Sequence, residues 1–272
     1  MLKVLVKKEL AEIFRSYFYN AKKNKVRSKE ATAAYFVLFA FLMVGFLGGV
    51  FAILARTLCA PLHAVGMDWL YFAMMGLIAV LLGAFGSVFT TYSTLYLAKD
   101  NDLLLSLPIP VSVLMASRMT TVYLMGLLYS GVVMLPAILV YWVQAAFTLP
   151  TLLGGLLLTA LISVFVMTVS CALGFVVAKI SLKLKRKSLI TVIVSLVFFA
   201  VYYFAVFRAQ TLISALLSNA LAFGEAVKGA AYPIYLFGQV GVGDPIPCLV
   251  ISLAVAALFA LMWALISRSF LK

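Results

Sequence analysis

The sequence predicts an all-α polytopic membrane protein. It should have six transmembrane helices, an N-terminal amphipathic helix, a short cytoplasmic helix between spans two and three, and re-entrant hydrophobic pieces between spans five and six. Three observations predict it. Of the 272 residues, 66% are hydrophobic and only 11% charged, where an ordinary soluble domain is about half apolar and a quarter charged. The mean hydropathy of +1.18 reflects more apolar side chain than a soluble fold of this size can hide. The apolar residues also fall into long runs with basic clusters beside them, the pattern that orients a chain crossing a bilayer several times.

The elements follow in order within one domain, 1–272. Residues 1–30 are a cytoplasmic amphipathic helix and basic linker, and 31–272 are the bundle. Over 2–18, Leu2, Leu5, Val6, Leu10, Ile13, Phe14, Tyr17 and Phe18 recur at steps of three and four, which makes one apolar helical face. Lys3, Lys7, Lys8, Glu12 and Arg15 fill the opposite face, so the helix suits the headgroup plane. Charges mixed through these residues leave no continuous hydrophobic segment, which argues against a cleavable signal peptide. A polar link, Ala21–Glu30, comes next.

Six spans fit near 31–55, 69–98, 113–143, 151–178, 188–207 and 246–267, each with the roughly 20 residues needed to cross the hydrocarbon layer. Pro136 is expected to kink the third. Between spans five and six, Leu212, Ile213, Leu216, Leu217, Ala220 and Leu221 keep helical spacing, which suits a re-entrant or surface-lying helix. The stretch Tyr232–Phe237 is expected to dip back before the turn from Gly241 to Pro247.

With the N-terminus inside, eighteen of the 21 Lys and Arg face the cytoplasm, and only Arg56, Arg208 and Lys228 lie outside. That split places both termini inside. Trp69, Tyr71, Tyr141, Trp142, Tyr202 and Tyr203 then sit at outer span ends, and Tyr35, Tyr92, Tyr96 and Trp263 at inner ones, as interfacial belts. The net charge of +13 therefore serves topology and contact with anionic headgroups, at about 1 kcal/mol per residue near the surface. It does not indicate nucleic acid.

Enzyme chemistry is poorly supplied. No Gly-Lys pair occurs, so a phosphate-binding Walker loop is excluded. His63, the one histidine, sits in an expected outer loop, where a structural or surface role is the plain reading. No metal or cofactor is expected. Cys59, Cys171 and Cys248 lack ligand spacing; Cys171 reads as a small buried residue, and a Cys59–Cys248 disulfide is left open. The eight acids lie in loops, at span ends or on the amphipathic helix, whereas ion-coupled carriers keep an ionisable group at membrane depth. Gly45 and Gly49 form a GxxxG pair read as packing within the chain in preference to a dimer contact. Gly76, Gly83 and Gly86 read the same way.

The segment KDNDLLLSLPIP, Lys99 to Pro110, carries the functional signal. Asp100, Asn101 or Asp102 can cap a short helix. Leu103, Leu104 and Leu107 give it an apolar surface on the cytoplasmic side. Pro108 restricts Leu107 and ends the turn, and Pro110 directs the chain into span three. One reading is a loop resting on headgroups. The sharper one is a coupling helix, a knob gripped by a motor subunit.

On this segment, followed by a basic residue at Arg118 and preceded by a helix ahead of span one, the chain resembles the membrane (permease) subunits of type-2 ATP-binding-cassette (ABC) exporters. The order of parts covers essentially the whole chain, and only D-x-D-L-L-L-S-L-P-I is close to a sequence signature. The resemblance implies a six-span permease paired with a second six-span half, as homo- or heterodimer, and two separate ATPase subunits docking on Asp100–Leu107. It implies that residues 2–18, with Leu5, Leu10, Phe14 and Tyr17, are an elbow helix against the ATPase and the lipid surface. A cavity lined by spans one, two and five and a lipid-like or peptide cargo are further implications. Similar sequences also occur as half of a longer permease.

Two other functions remain. A secondary carrier or channel would build an ion site from hydroxyls such as Thr90, Thr91, Ser163, Thr168 and Ser170, and its transport would survive ATP depletion. A non-transport scaffold or intramembrane lipid enzyme would be active with no ATPase attached.

Overall fold

The computed structural model describes residues 1–20, 24–96, 109–145, 147–183 and 218–270, with isolated positions between 196 and 214. The chain is an all-α membrane-embedded protein. Among the described residues five helices are long and apolar enough to cross a bilayer: Lys29–Ala64, Asp68–Leu95, Val111–Gln144, Leu149–Val177 and Pro245–Ser267. They coincide with expected spans one to four and six. The expected fifth span, 188–207, lies outside the described residues save isolated positions.

The chain begins with helices α1 (Leu2–Ile13) and α2 (Arg15–Phe18). A two-residue antiparallel ladder follows, pairing β1 (Tyr19–Asn20) with β2 (Lys25–Val26). Ser28 caps α3 (Lys29–Ala40), its hydroxyl accepting from the amide of Ala31 with Glu30 in the first turn. Both satisfy the exposed amides of a helix start. A π-helical stretch, Phe41–Leu47, joins α3 to α4 (Gly48–Ala64).

This first long helix continues past the expected end at 55. Leu58, Cys59 and Leu62 of its last turns are buried in the main core, and that burial favours continuation through Pro61. It ends at Gly66, whose φ of +69° suits a residue without a Cβ. The amides of Gly66 and Met67 close the end on the carbonyls of His63 and Leu62.

Three helices form the body: α5 (Asp68–Thr91), α6 (Val111–Gln144) and α7 (Leu149–Lys183). Each packs on the other two, and α4 lies against α6. A Cβ on Gly83 would stand 2.9 Å from Val166, and one on Gly86 2.8 Å from Tyr129. The glycines of α5 are thus packing positions within the chain. The pair in the first span is different. Gly49 has nothing within 4 Å among the described residues, and Gly45 meets only Phe41 of its own helix, so the described residues show no packing of another span on this GxxxG pair.

Three further helices follow among the described residues: α8 (Ala220–Ala230), α9 (Tyr232–Val242) and α10 (Pro245–Phe270). Short α9 is wedged against α5, α7 and α10. It fits because glycines face its neighbours, Gly238 at the Trp69 backbone and Gly241 at the Phe72 ring. Gly243, at φ +98°, ends it with amide bonds to Gln239 and Val240 carbonyls.

The belt reading of the aromatics needs correction at three positions, while Tyr202 and Tyr203 lie outside the described residues. Trp69, Tyr71 and Tyr141 are buried. Tyr71 donates to the Ala137 carbonyl at 2.7 Å and stacks on Tyr141. These rings glue helix to helix inside the bundle and do not face headgroups.

Candidate functional site

The described part of the candidate site is the junction between α1 and the first two turns of α6. Leu5 and Glu9 are one helical turn apart on α1 and share a face. Leu114 and Arg118 have the same spacing on α6. The two faces meet: Leu5 and Leu114 form a small buried cluster with Ile109 and Val113 beside it. One turn on, Glu9 Oε1 lies 3.7 Å from Arg118 Nε. Glu9 is 5% exposed and Arg118 is fully buried, the largest such side chain among the described residues.

Arg118, in the sequence a basic residue following the 99–110 segment and counted to the cytoplasmic side, is a buried side chain of the bundle. It is the eighth residue of α6, and a carboxylate from the N-terminal helix compensates its burial. A buried charge without such compensation costs several kcal/mol. Ser117 and Thr121 beside it return their hydroxyls to their own helix, at the Leu114 and Ser117 carbonyls. Sequence reasoning missed the pairing, although Glu9 falls between Leu5 and Ile13 on the apolar stripe of α1. A carboxylate on such a stripe is a signal that something answers it.

The elbow residues divide between two neighbours. Leu5 meets α6. Phe14, at the break between α1 and α2, packs its ring against Phe36 and Phe39 of α3 at 5.9 Å, and Tyr17 stacks on Phe36 at 5.4 Å. Leu10 is half-buried. The β1–β2 ladder then turns the chain so that the Arg27 guanidinium lies 4.3 Å over the Tyr35 ring. The N-terminal helices are thereby fixed to α6 at one end and α3 at the other.

The other half of the proposed site, Asp100, Asn101, Asp102, Leu103, Leu104, Leu107 and Pro108, lies outside the described residues. Its flanks are described. A π-helical turn, Tyr92–Tyr96, precedes it, and Ile109 follows, partly buried beside Leu5 and Leu114.

Four of the five hydroxyls named for a carrier make hydrogen bonds within the bundle. Ser170 bonds Ser87 between α7 and α5 at 2.6 Å, and Ser163 bonds Ser130 between α7 and α6 at 2.9 Å. Thr91 and Thr168 donate to their own helices. These are seams between packed helices.

Further out, His63 Nδ1 lies 2.8 Å from Asp68 Oδ1, tying the end of α4 to the start of α5. All three cysteines are free, so the open Cys59–Cys248 bridge is not formed. No group of three His, Cys, Asp or Glu that could hold a metal occurs among the described residues. Between α6, α7 and α10 runs an apolar cavity of about 270 Å³, lined by Met119, Tyr123, Met167, Phe259 and Trp263 among others.

No protein-family model matches the chain, and no curated protein or solved structure is similar to it.

Proposed function

We propose that the chain is the permease subunit of an ABC-2 type exporter, a multi-pass protein of the cell (plasma or inner) membrane with both termini in the cytoplasm. Separate ATPase subunits drive it through a coupling helix at Asp100–Pro108. It pairs with a second six-span half, and residues 188–207 supply the remaining span. Helices α8 and α9 are the re-entrant pieces, and the cargo is lipid-like, peptide or otherwise hydrophobic. The chain itself carries no ATP-binding motif.

The observation that carries the reading is the segment D-x-D-L-L-L-S-L-P-I set between two long apolar helices. Its position is supported by what surrounds it. Its last residue, Ile109, and the N-terminal helix share one apolar contact at Leu114, so the elbow and the exit of the coupling segment meet at one end of the bundle. Closure of an ATPase dimer against that end would tilt the helices as bodies.

The test is Leu103→Asp or Leu104→Asp in the full chain. Each puts a charge on the apolar knob and is expected to abolish co-purification of an ATPase while membrane insertion is retained. Undiminished co-purification overturns the proposal.

A further inference from the structure

We infer that Glu9 and Arg118 are a positioning pair that clamps α1 onto the head of α6, so that the N-terminal helix and the start of the third span move as one body. The geometry has three parts. The contact is two-tiered, with an apolar pair, Leu5 with Leu114, and a charged pair one turn further along both helices. The charged tier is desolvated: Arg118 is fully buried and Glu9 is 5% exposed. On the opposite side of α1, Lys3 and Lys7 are exposed and Val4 is 71% exposed. Among the described residues the clamp face is what holds α1 to the bundle before Phe14.

The pair also sits at a particular place. Arg118 lies two helical turns beyond Pro110, where the chain leaves the 99–108 segment. A displacement of that segment along α6 reaches Leu114 and Arg118 first, and through them Glu9. In this respect the inference deepens the permease reading and rests on it for the origin of the displacement. The clamp itself stands on the contact.

A buried ion pair differs from an apolar contact in how it fails. Removing one partner strands the other charge in a dry site, whereas replacing both by apolar side chains of similar volume is often neutral. That asymmetry gives the test. Full-length protein in lipid nanodiscs is compared by amide hydrogen exchange as wild type, Glu9→Leu, Arg118→Met and the double variant. In the wild type, residues 2–13 are expected to be protected to within tenfold of residues 111–118. Each single variant is expected to lose at least a hundredfold protection over residues 2–13, which is about 2.7 kcal/mol at 1.36 kcal/mol per tenfold. Residues 125–141 should be unchanged. The double variant is expected to return to within tenfold of the wild type.

Unchanged protection of residues 2–13 in Arg118→Met overturns the clamp. So does a loss shared equally by residues 125–141, which would make the pair a support of the fold at large. A double variant as exposed as the singles overturns it too. None of these readouts involves an ATPase, so failure of the clamp is distinguishable from failure of the permease reading, which the Leu103→Asp co-purification decides.

Discussion

Gly154→Ala tests the packing of α9 most sharply, because two known effects oppose each other there. Gly154 lies inside α7, and an alanine in a helix interior is worth about 1 kcal/mol over glycine. The added Cβ, however, would stand 2.7 Å from Gly243 Cα and 2.8 Å from Gly243 N, and it would also meet the Val240 carbonyl oxygen. All three neighbours are backbone atoms, with no side chain that could rotate away. Restoring an ordinary separation of 3.4 Å from Gly243 Cα alone requires α7 and the end of α9 to part by about 0.7 Å, and the nearer Val240 carbonyl oxygen requires more. Overpacking of this kind costs about 1–3 kcal/mol, and the upper end applies to a backbone contact. The net effect is a loss of about 2 kcal/mol, or roughly 4–8 °C in the thermal midpoint for a chain of this size.

The assay is a thermal scan of the purified protein in detergent at one fixed heating rate, since unfolding of such proteins is commonly irreversible. Gly229→Ala is the control. It lies in helix α8 with nothing within 4 Å among the described residues, so only the propensity gain remains and the midpoint should hold or rise. A Gly154→Ala protein that melts at or above the wild type would refute the account of how α9 is seated.

Two other expectations are separate from this one. Ser130→Ala and Ser163→Ala, singly and together, should give a coupling energy of about 0.6 kcal/mol and below about 1.7 kcal/mol, because each hydroxyl has a carbonyl of its own helix, Gly126 or Thr159, as an alternative acceptor; a value near 3 kcal/mol in a denaturation cycle would mean that the seam is more than glue. A cysteine at exposed Val65 should react with a membrane-impermeant maleimide added to intact cells, and one at Lys25 only after lysis. The reverse pattern would invert the orientation drawn from the basic residues.

The spans were legible because run length is a local property. Five of them appear where apolar runs of sufficient length stand in the sequence. What run length cannot show is which side of an all-apolar helix meets protein. Tyr71 and Tyr141 read as interfacial rings for that reason, yet they lie in the core against each other. Gly45 and Gly49 read as packing residues, yet the first span offers them no neighbour among the described residues. The first span was expected to end at 55, yet the helix runs on to Ala64 past Arg56 and Pro61, with Leu58 and Leu62 buried in the core. Of the candidate site, the helical spacing of Leu5, Phe14 and Tyr17 could be read locally. The partnership of Glu9 with Arg118 could not, because periodicity carries no information about residues so far apart in the chain.

The seating of α9 has a consequence for biogenesis. Helices α5, α6 and α7 can associate as soon as they have left the ribosome, but the wedge that contacts Trp69, Phe72 and Gly154 is made after all three of them. Until it arrives, those surfaces stand open to lipid or to chaperones. A nascent chain halted before Tyr232 should therefore be inserted yet immature, and quality control would have a defined patch by which to tell the unfinished protein from the finished one.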